Sequence, residues 1–316
     1  CMMSLLCAAT SRTRISVRKV SCAPTRVVRY SPVAEARSGT SHYLATHSAH
    51  HLYPLSWAHT MIPRHSANTV REMRPVGSFV AATLAELKQH ATAGVTLLEL
   101  DALAHQRITE AGAQSCYIDY HPSFGASPFG KVLCTSVNDA ALHGLPHDYT
   151  LVDGDLLSLD FAVTLKGWVA DSALTLVVGG NPTPSDTKLI DTCEKALHAG
   201  IKQARSGNRL GDISHAIGQV SRAAGYAVNT DFGGHGVGRT MHEDPSIPND
   251  GEPGRGPKLK PGMVFAIEPW LMETTADVYT DEDGWTLKSV DGSRSAHVEH
   301  TVVITEGEPL VLTARD

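Results

Sequence analysis

The stretch FGGHGVGRTMHEDP, residues 232–245, places His235 and His242 seven positions apart among four glycines. Two chemistries compete for such a segment: glycines that let backbone approach a phosphate, or imidazoles that ligate a metal or touch a substrate. GHGVGR lacks the full GxGxxG spacing, and the TMHEDPSIP that follows offers no helix N-terminus to a pyrophosphate. The nucleotide alternative falls. His235 is left as a metal ligand, a substrate contact, or a neutral histidine of purely structural use.

Carboxylates elsewhere favour the metal. In LLSLDFAVTLKGWVADSALTLVV, Leu157, Leu159, Phe161, Val163 and Leu165 alternate as a strand with one buried face, and Lys166-Gly167 supplies a two-residue hairpin turn. Residue 165 then faces 168, 160 faces 173 and 162 faces 171, so Asp160 and Asp171 share the opposite side, about 7–8 Å apart on the diagonal. Such a pair is either two ordinary aspartates on a solvent face or a cation site, since like charges at close range raise one pKa strongly. Glu268 in MVFAIEPWL and Glu299 in SAHVEHTVVIT lie in apolar runs where burial is expected. A buried carboxylate is costly unless paired or metal-bound. Four carboxylates and one imidazole suit two divalent cations bridged by carboxylates and a water, with Mn, Fe, Co and Zn all compatible with the ligand types.

Helices must carry these strands. From about residue 69, Val70, Met73, Val80, Leu84 and Leu87 recur at helical spacing, with Pro75 expected to kink or delay the helix. A second helix is predicted over 96–111: Thr96 and Glu99 form a capping box, Leu97, Leu100, Ala104, Ile108 and Ala111 make one stripe, and Gly112 ends it. The pattern returns 113 residues on, where Gly94, Leu97, Leu100, Ala111 and Gly112 correspond to Gly207, Leu210, Ile213, Ala224 and Gly225. A single recurrence is either a duplicated α+β half-domain, with a site where its sheets meet, or the chance likeness of two amphipathic helices.

Composition bounds the rest. With 316 residues, 42% hydrophobic and 19% charged, the chain has the make-up of a globular protein. Its longest apolar runs fall well short of the roughly 20 residues of a membrane span. Six cysteines without a CxxC pair read as thiols in a reducing, cytoplasmic setting. Residues 1–60 carry +6 while the whole chain carries −6, leaving −12 on residues 61–316 and no basic footprint for nucleic acid. Residues 1–60 are expected to form a disordered basic extension: a transit peptide, a docking tail, or a stretch upstream of a start at Met61. Residues 61–316 form the expected catalytic domain.

With these residues in hand, the chain closely resembles the type I methionine aminopeptidases over about residues 65–312. The motifs are SLDFAV, VADSA, GGHGVG, IEP and VEHT, in order, with the family's eleven-residue step between aspartates and seven-residue step between histidines. The resemblance implies the pita-bread fold: α+β, with duplicated half-domains about a mainly antiparallel sheet. It implies metal ligation of two divalent ions by Asp160, Asp171, His235, Glu268 and Glu299, and substrate contact by His143 and His242. It implies a methionine pocket of Cys134, Phe129 and Trp285, with Met241 where an aromatic is more usual. The segment YIDYHPSFGASPFGKVLC is also longer and more polar than the familiar one, so the pocket departs from the pattern while the ligand set does not. Glu268 is then the expected proton shuttle, His242 the partner of the peptide carbonyl and His143 of the peptide nitrogen or the next residue. The implied substrates are peptides and nascent proteins beginning with Met, with the ribosome as a further partner and a monomer as the working form. An Xaa-Pro peptidase of the same fold and a non-catalytic binding module are the alternatives.

Overall fold

A computed structural model describes residues 61–122, 125 and 127–315; the expectation for residues 1–60 lies outside the described residues. The aspartate hairpin forms as its turn dictates. β4 (Leu156–Leu165) and β5 (Trp168–Val177) pair antiparallel, with Leu165 opposite Trp168, Asp160 opposite Ala173 and Ala162 opposite Asp171. Lys166 and Gly167 take φ of 52° and 77°, the left-handed pair that a tight turn between twisted strands requires. One expectation is corrected: β4 has no solvent face. Leu156, Ser158 and Ala162 are buried along with Leu157, Leu159, Phe161 and Val163, and all ten residues of β5 are buried. Helices cover one side of the hairpin and the second half of the chain covers the other.

α1 (Ala67–His90) lays Met73, Val76, Val80, Leu84 and Leu87 on that hairpin, and Ser66 caps its start. Pro75 neither delays nor ends it. The proline ring is on the exposed face, where water can take the Arg71 carbonyl that loses its helical donor. α2 (Leu97–Ala111) begins with the Thr96–Glu99 capping box and closes at Gly112 with φ 62°. Its buried stripe stops at Ile108; Ala111 is exposed, because the chain leaves the helix there.

Gly77 tests how closely α1 is held. Alanine in a helix interior ordinarily gains about 1 kcal/mol over glycine, yet a Cβ here would lie 2.4 Å from the Leu312 carbonyl oxygen. Gly77→Ala is expected to lower the melting temperature, with overpacking costing about 1–3 kcal/mol. A thermal melt showing an unchanged or higher transition would contradict that approach.

The recurrence in sequence is a recurrence in structure. α3 (Pro184–Gln203) and α4 (Leu210–Ala223) repeat the helix pair. Gly94 and Gly207 take φ of 95° and 97° and donate to the carbonyls of Leu151 and Leu259. Thr96 bridges Thr150 as Arg209 bridges Lys258. Chance likeness between helices does not reproduce such tertiary bonds, so the duplication holds. Each half has its own apolar core, one around Leu84, Phe161 and Val169, the other around Leu197, Ile213 and Phe265.

All named strand pairs are antiparallel. On the edge of β4 away from β5 lie β1 (Gln114–Ser115) and β2 (Cys134–Val137). The second half contributes β6 (Gly233–Gly236), β7 (Glu243–Pro248), β8 (Val264–Ile267), β13 (His300–Val303) and β14 (Leu310–Val311), in the order β14-β13-β8-β6-β7. Smaller sheets join β3 (Ala140–Leu142) to β10 (Val278–Thr280) and β11 (Leu287–Ser289), and β9 (Trp270–Met272) to β12 (Ser295–His297).

Candidate metal centre

The two halves meet over one cavity of about 600 Å³, and Asp160, Asp171, His235, Glu268 and Glu299 all line it. The hairpin register supplies the first two. The Tyr117 hydroxyl lies between them, 2.7 Å from Asp160 Oδ1 and 3.3 Å from Asp171 Oδ1. His235 comes from β6, and the glycines beside it have a packing reason. A Cβ on Gly234 would lie 2.3 Å from the Ala266 oxygen, and one on Gly236 would lie 2.1 Å from that of Asp244. Those glycines admit neighbouring strands, and the segment after them forms β7 with no helix.

Nδ1 of His235 is 2.9 Å from the Gly236 carbonyl, which fixes the proton on Nδ1 and turns the Nε2 lone pair inward. Nε2 is 3.4 Å from Glu268 Oε1 and 4.0 Å from Asp171 Oδ2. Asp171, His235 and Glu299 each offer one ligand atom, all within 4.8 Å of one another. Glu299, on the link between β12 and β13, is 2% exposed, and its Oε1 has no hydrogen-bond partner. An orphaned carboxylate oxygen facing a nitrogen lone pair and a second carboxylate fits a hard or borderline cation.

Electrostatics agree. Burial, followed by the charges of Asp160 and Glu268, pushes the Asp171 carboxyl well above its ordinary range. Glu299 is pushed up by burial and then by Asp171, Glu268 and Asp160, with Arg315 pulling it back. Burial opposes ionisation of Glu268 too, but contact with His297 and the fields of His235, His297 and His242 hold its pKa below the usual value. Burial, then His235, pushes His242 down to about 4, and burial lowers His143. Both imidazoles are therefore neutral at neutral pH and able to donate one hydrogen bond each without carrying charge.

The remaining expected residues line the same cavity: His143, His242, Cys134, Phe129, Met241 and Trp285. His143 takes φ 55°, a left-handed conformation held as the chain crosses tightly to Gly144. His242 packs edge-on to His235 with ring centres 4.4 Å apart. Phe129 meets Trp285 edge-on at 5.1 Å, and the indole Nε1 donates to the Ser127 carbonyl at 3.1 Å. Cys134 faces Asp160 across the β2–β4 ladder.

Tyr117, Tyr120, Phe232 and His297 were not among the expected residues. Tyr117 and Tyr120 belong to the segment that departs from the familiar pattern, and Tyr120 stacks near His242 at 5.3 Å. His297 Nε2 is 3.7 Å from Glu268 Oε2. Its position two residues before Glu299, on the same side of an extended run, was the available signal.

A two-fold duplicated body with buried carboxylates and an inward imidazole at its seam defines a metal-dependent hydrolase of the pita-bread class. The chain matches the Metallopeptidase family M24 over residues 71–306. It is 44% identical over 254 residues to a methionine aminopeptidase of Clostridium perfringens, spanning 80% of this chain and 99% of that protein. A methionine aminopeptidase 1 of Bacillus subtilis is 43% identical over 235 residues, spanning 74% and 92%. The crystal structure of methionine aminopeptidase from Thermotoga maritima superposes with a TM-score of 0.75 at 35% identity, covering 81% of this chain and all of that one. The chain belongs to the methionine aminopeptidases of metallopeptidase family M24. With that family comes dependence on divalent metal. A prolidase from Pyrococcus furiosus shares the fold at a TM-score of 0.62 and 19% identity.

Proposed function

We propose that this chain removes N-terminal methionine from proteins by hydrolysing the first peptide bond, using two divalent ions held by Asp160, Asp171, His235, Glu268 and Glu299. The observation that carries the metal assignment is the buried, partnerless Glu299 Oε1 beside Asp171 and His235. Asp171 shares the Tyr117 hydroxyl with Asp160 and lies 4.0 Å from His235 Nε2, so the five side chains that would hold the ions converge on it. When bound, such ions acidify a water and polarise the scissile carbonyl.

The chain's own groups do the rest. Glu268 accepts a proton from the attacking water and returns it to the departing amine, a task suited to a carboxylate kept ionised within the cavity. Neutral His242 donates a hydrogen bond to the carbonyl oxygen as negative charge grows there. His143 orients the peptide nitrogen. Cys134, Phe129, Met241 and Trp285 enclose the methionine side chain, where sulfur at aromatic edges contributes about 0.3–1.5 kcal/mol.

Newly made proteins are the pool that carries N-terminal methionine, so the proposed setting of the reaction is the cytoplasm, on chains leaving the ribosome. The proposed working form is a monomer. Among the described residues, no helix is long and apolar enough to cross a membrane.

Metal removal and restoration test the proposal. A chelator is expected to abolish release of methionine from Met-Ala-Ser, and one or more of Mn, Fe, Co and Zn to restore it, with Met-Ala cleaved in preference to Ala-Pro. Preference for Ala-Pro would instead indicate an Xaa-Pro peptidase. Failure of every metal would indicate a binding module.

A further inference from the structure

The strands that carry the proposed ligands belong to different sheets, and no backbone ladder joins β5 to β13. Side chains set their spacing. Thr301 Oγ1 accepts from Asp171 N at 2.9 Å and donates to Asp171 O at 2.7 Å. Ser172 Oγ donates to the Glu299 carbonyl at 2.6 Å, and Glu299 N donates to the Ala173 carbonyl at 3.0 Å. The main chain of Glu299 is thus tied on both sides to the two residues that follow Asp171.

Arg315 holds both of those ties. Its Nη1 donates to Ser172 Oγ at 2.7 Å and its Nη2 to the Ala173 carbonyl at 3.0 Å. The run that delivers it is docked on β13: Leu312 N donates to the Thr301 carbonyl at 2.8 Å, and Thr313 Oγ1 accepts from Thr301 N at 3.0 Å. A planar guanidinium can engage two acceptors at fixed separation, which an ammonium cannot. Arg315 also lies beyond residues 71–306, the span matched by the family.

We propose that Arg315 is a positioning residue for the metal centre, fixing the distance between the Asp171 strand and the Glu299 segment by clamping Ser172 and Ala173. This inference rests on the metal centre proposed above. Ligands borne on separate sheets have to be held at a set spacing before a cation can meet both, and partners behind the ligands commonly change metal affinity about 10–100-fold.

The test is calorimetric titration of Mn(II) into chelator-stripped protein, with the melting temperature in chelator measured alongside. Arg315→Ala is expected to weaken Mn(II) binding about 10–100-fold, and Arg315→Lys to recover only part of it. Ser172→Ala removes one tie and leaves the arginine, so it reads the same link should Arg315→Ala fold poorly. It too is expected to weaken binding, by about tenfold. Binding within about twofold of wild type in the alanine variants, with only the melting temperature lowered, would make Arg315 a fold clamp and overturn the proposal. Absence of Mn(II) uptake by the wild-type protein would instead overturn the metal centre itself.

Discussion

Glu268→Gln is expected to lose turnover by about 10²–10⁴-fold while keeping its fold and most of its metal. The amide has the shape of the carboxylate and retains an oxygen for a cation, but it cannot accept and return a proton. The site makes the loss specific. Burial works against the charge of Glu268, and contact with His297 offsets it and holds the pKa below the usual value, which suits the proposed proton acceptor. Asp171 and Glu299, which burial and mutual repulsion drive toward protonation without a cation, would be committed to holding the ions in the working enzyme and so could not substitute. Single-turnover release of methionine from Met-Ala-Ser, with metal content measured on the same sample, checks the assignment. Full turnover by the variant would remove Glu268 from the proton path. Loss of metal in step with activity would make it a ligand alone.

Much of this site was legible because its parts are local. The Lys166-Gly167 turn fixes which residues face each other, and that register alone places Asp160 and Asp171 on one side. The Thr96–Glu99 box and the glycines at 112 and 225 mark helix ends by their own backbone chemistry. What the sequence hid depends on contacts between distant segments. β4 reads as a half-exposed strand because Leu157 to Leu165 alternate. Its other face is covered through bonds such as those from Ser158 and Thr175 to the main chain around His297, which no local period records. Tyr117 and His297 were missed for the same reason. Each follows or belongs to a strand of two or three residues, too short to show which way its side chain points. Pro75 misled in the opposite sense: a local rule predicted a kink or a late start, and the helix begins at Ala67 and runs through it, its remaining face packed on β4 and β5.

Asp171→Asn separates what the site costs from what it does. In the folded protein without metal, the Asp171 carboxyl has its pKa raised above 3.8, first by burial and then by Asp160 and Glu268. For an acid whose pKa is raised on folding, the stability contribution is fully present below the unfolded pKa and is lost as pH rises toward the folded one. In chelator, the variant and the wild type should therefore melt together near pH 4, and the variant should become the more stable as pH rises to roughly 8. Asparagine keeps a carbonyl oxygen for the Tyr117 hydroxyl and can donate to Asp160, so no buried group is orphaned by the change. Excess Mn(II) should reverse the order, because only the wild type gains the full binding energy of the cation. Turnover of the variant should fall at least about 100-fold, more than replacing a partner behind a ligand would cause. Melting temperatures across that pH range, with chelator and with Mn(II), decide the matter: parallel curves in both conditions would mean that Asp171 neither crowds its neighbours nor meets a metal.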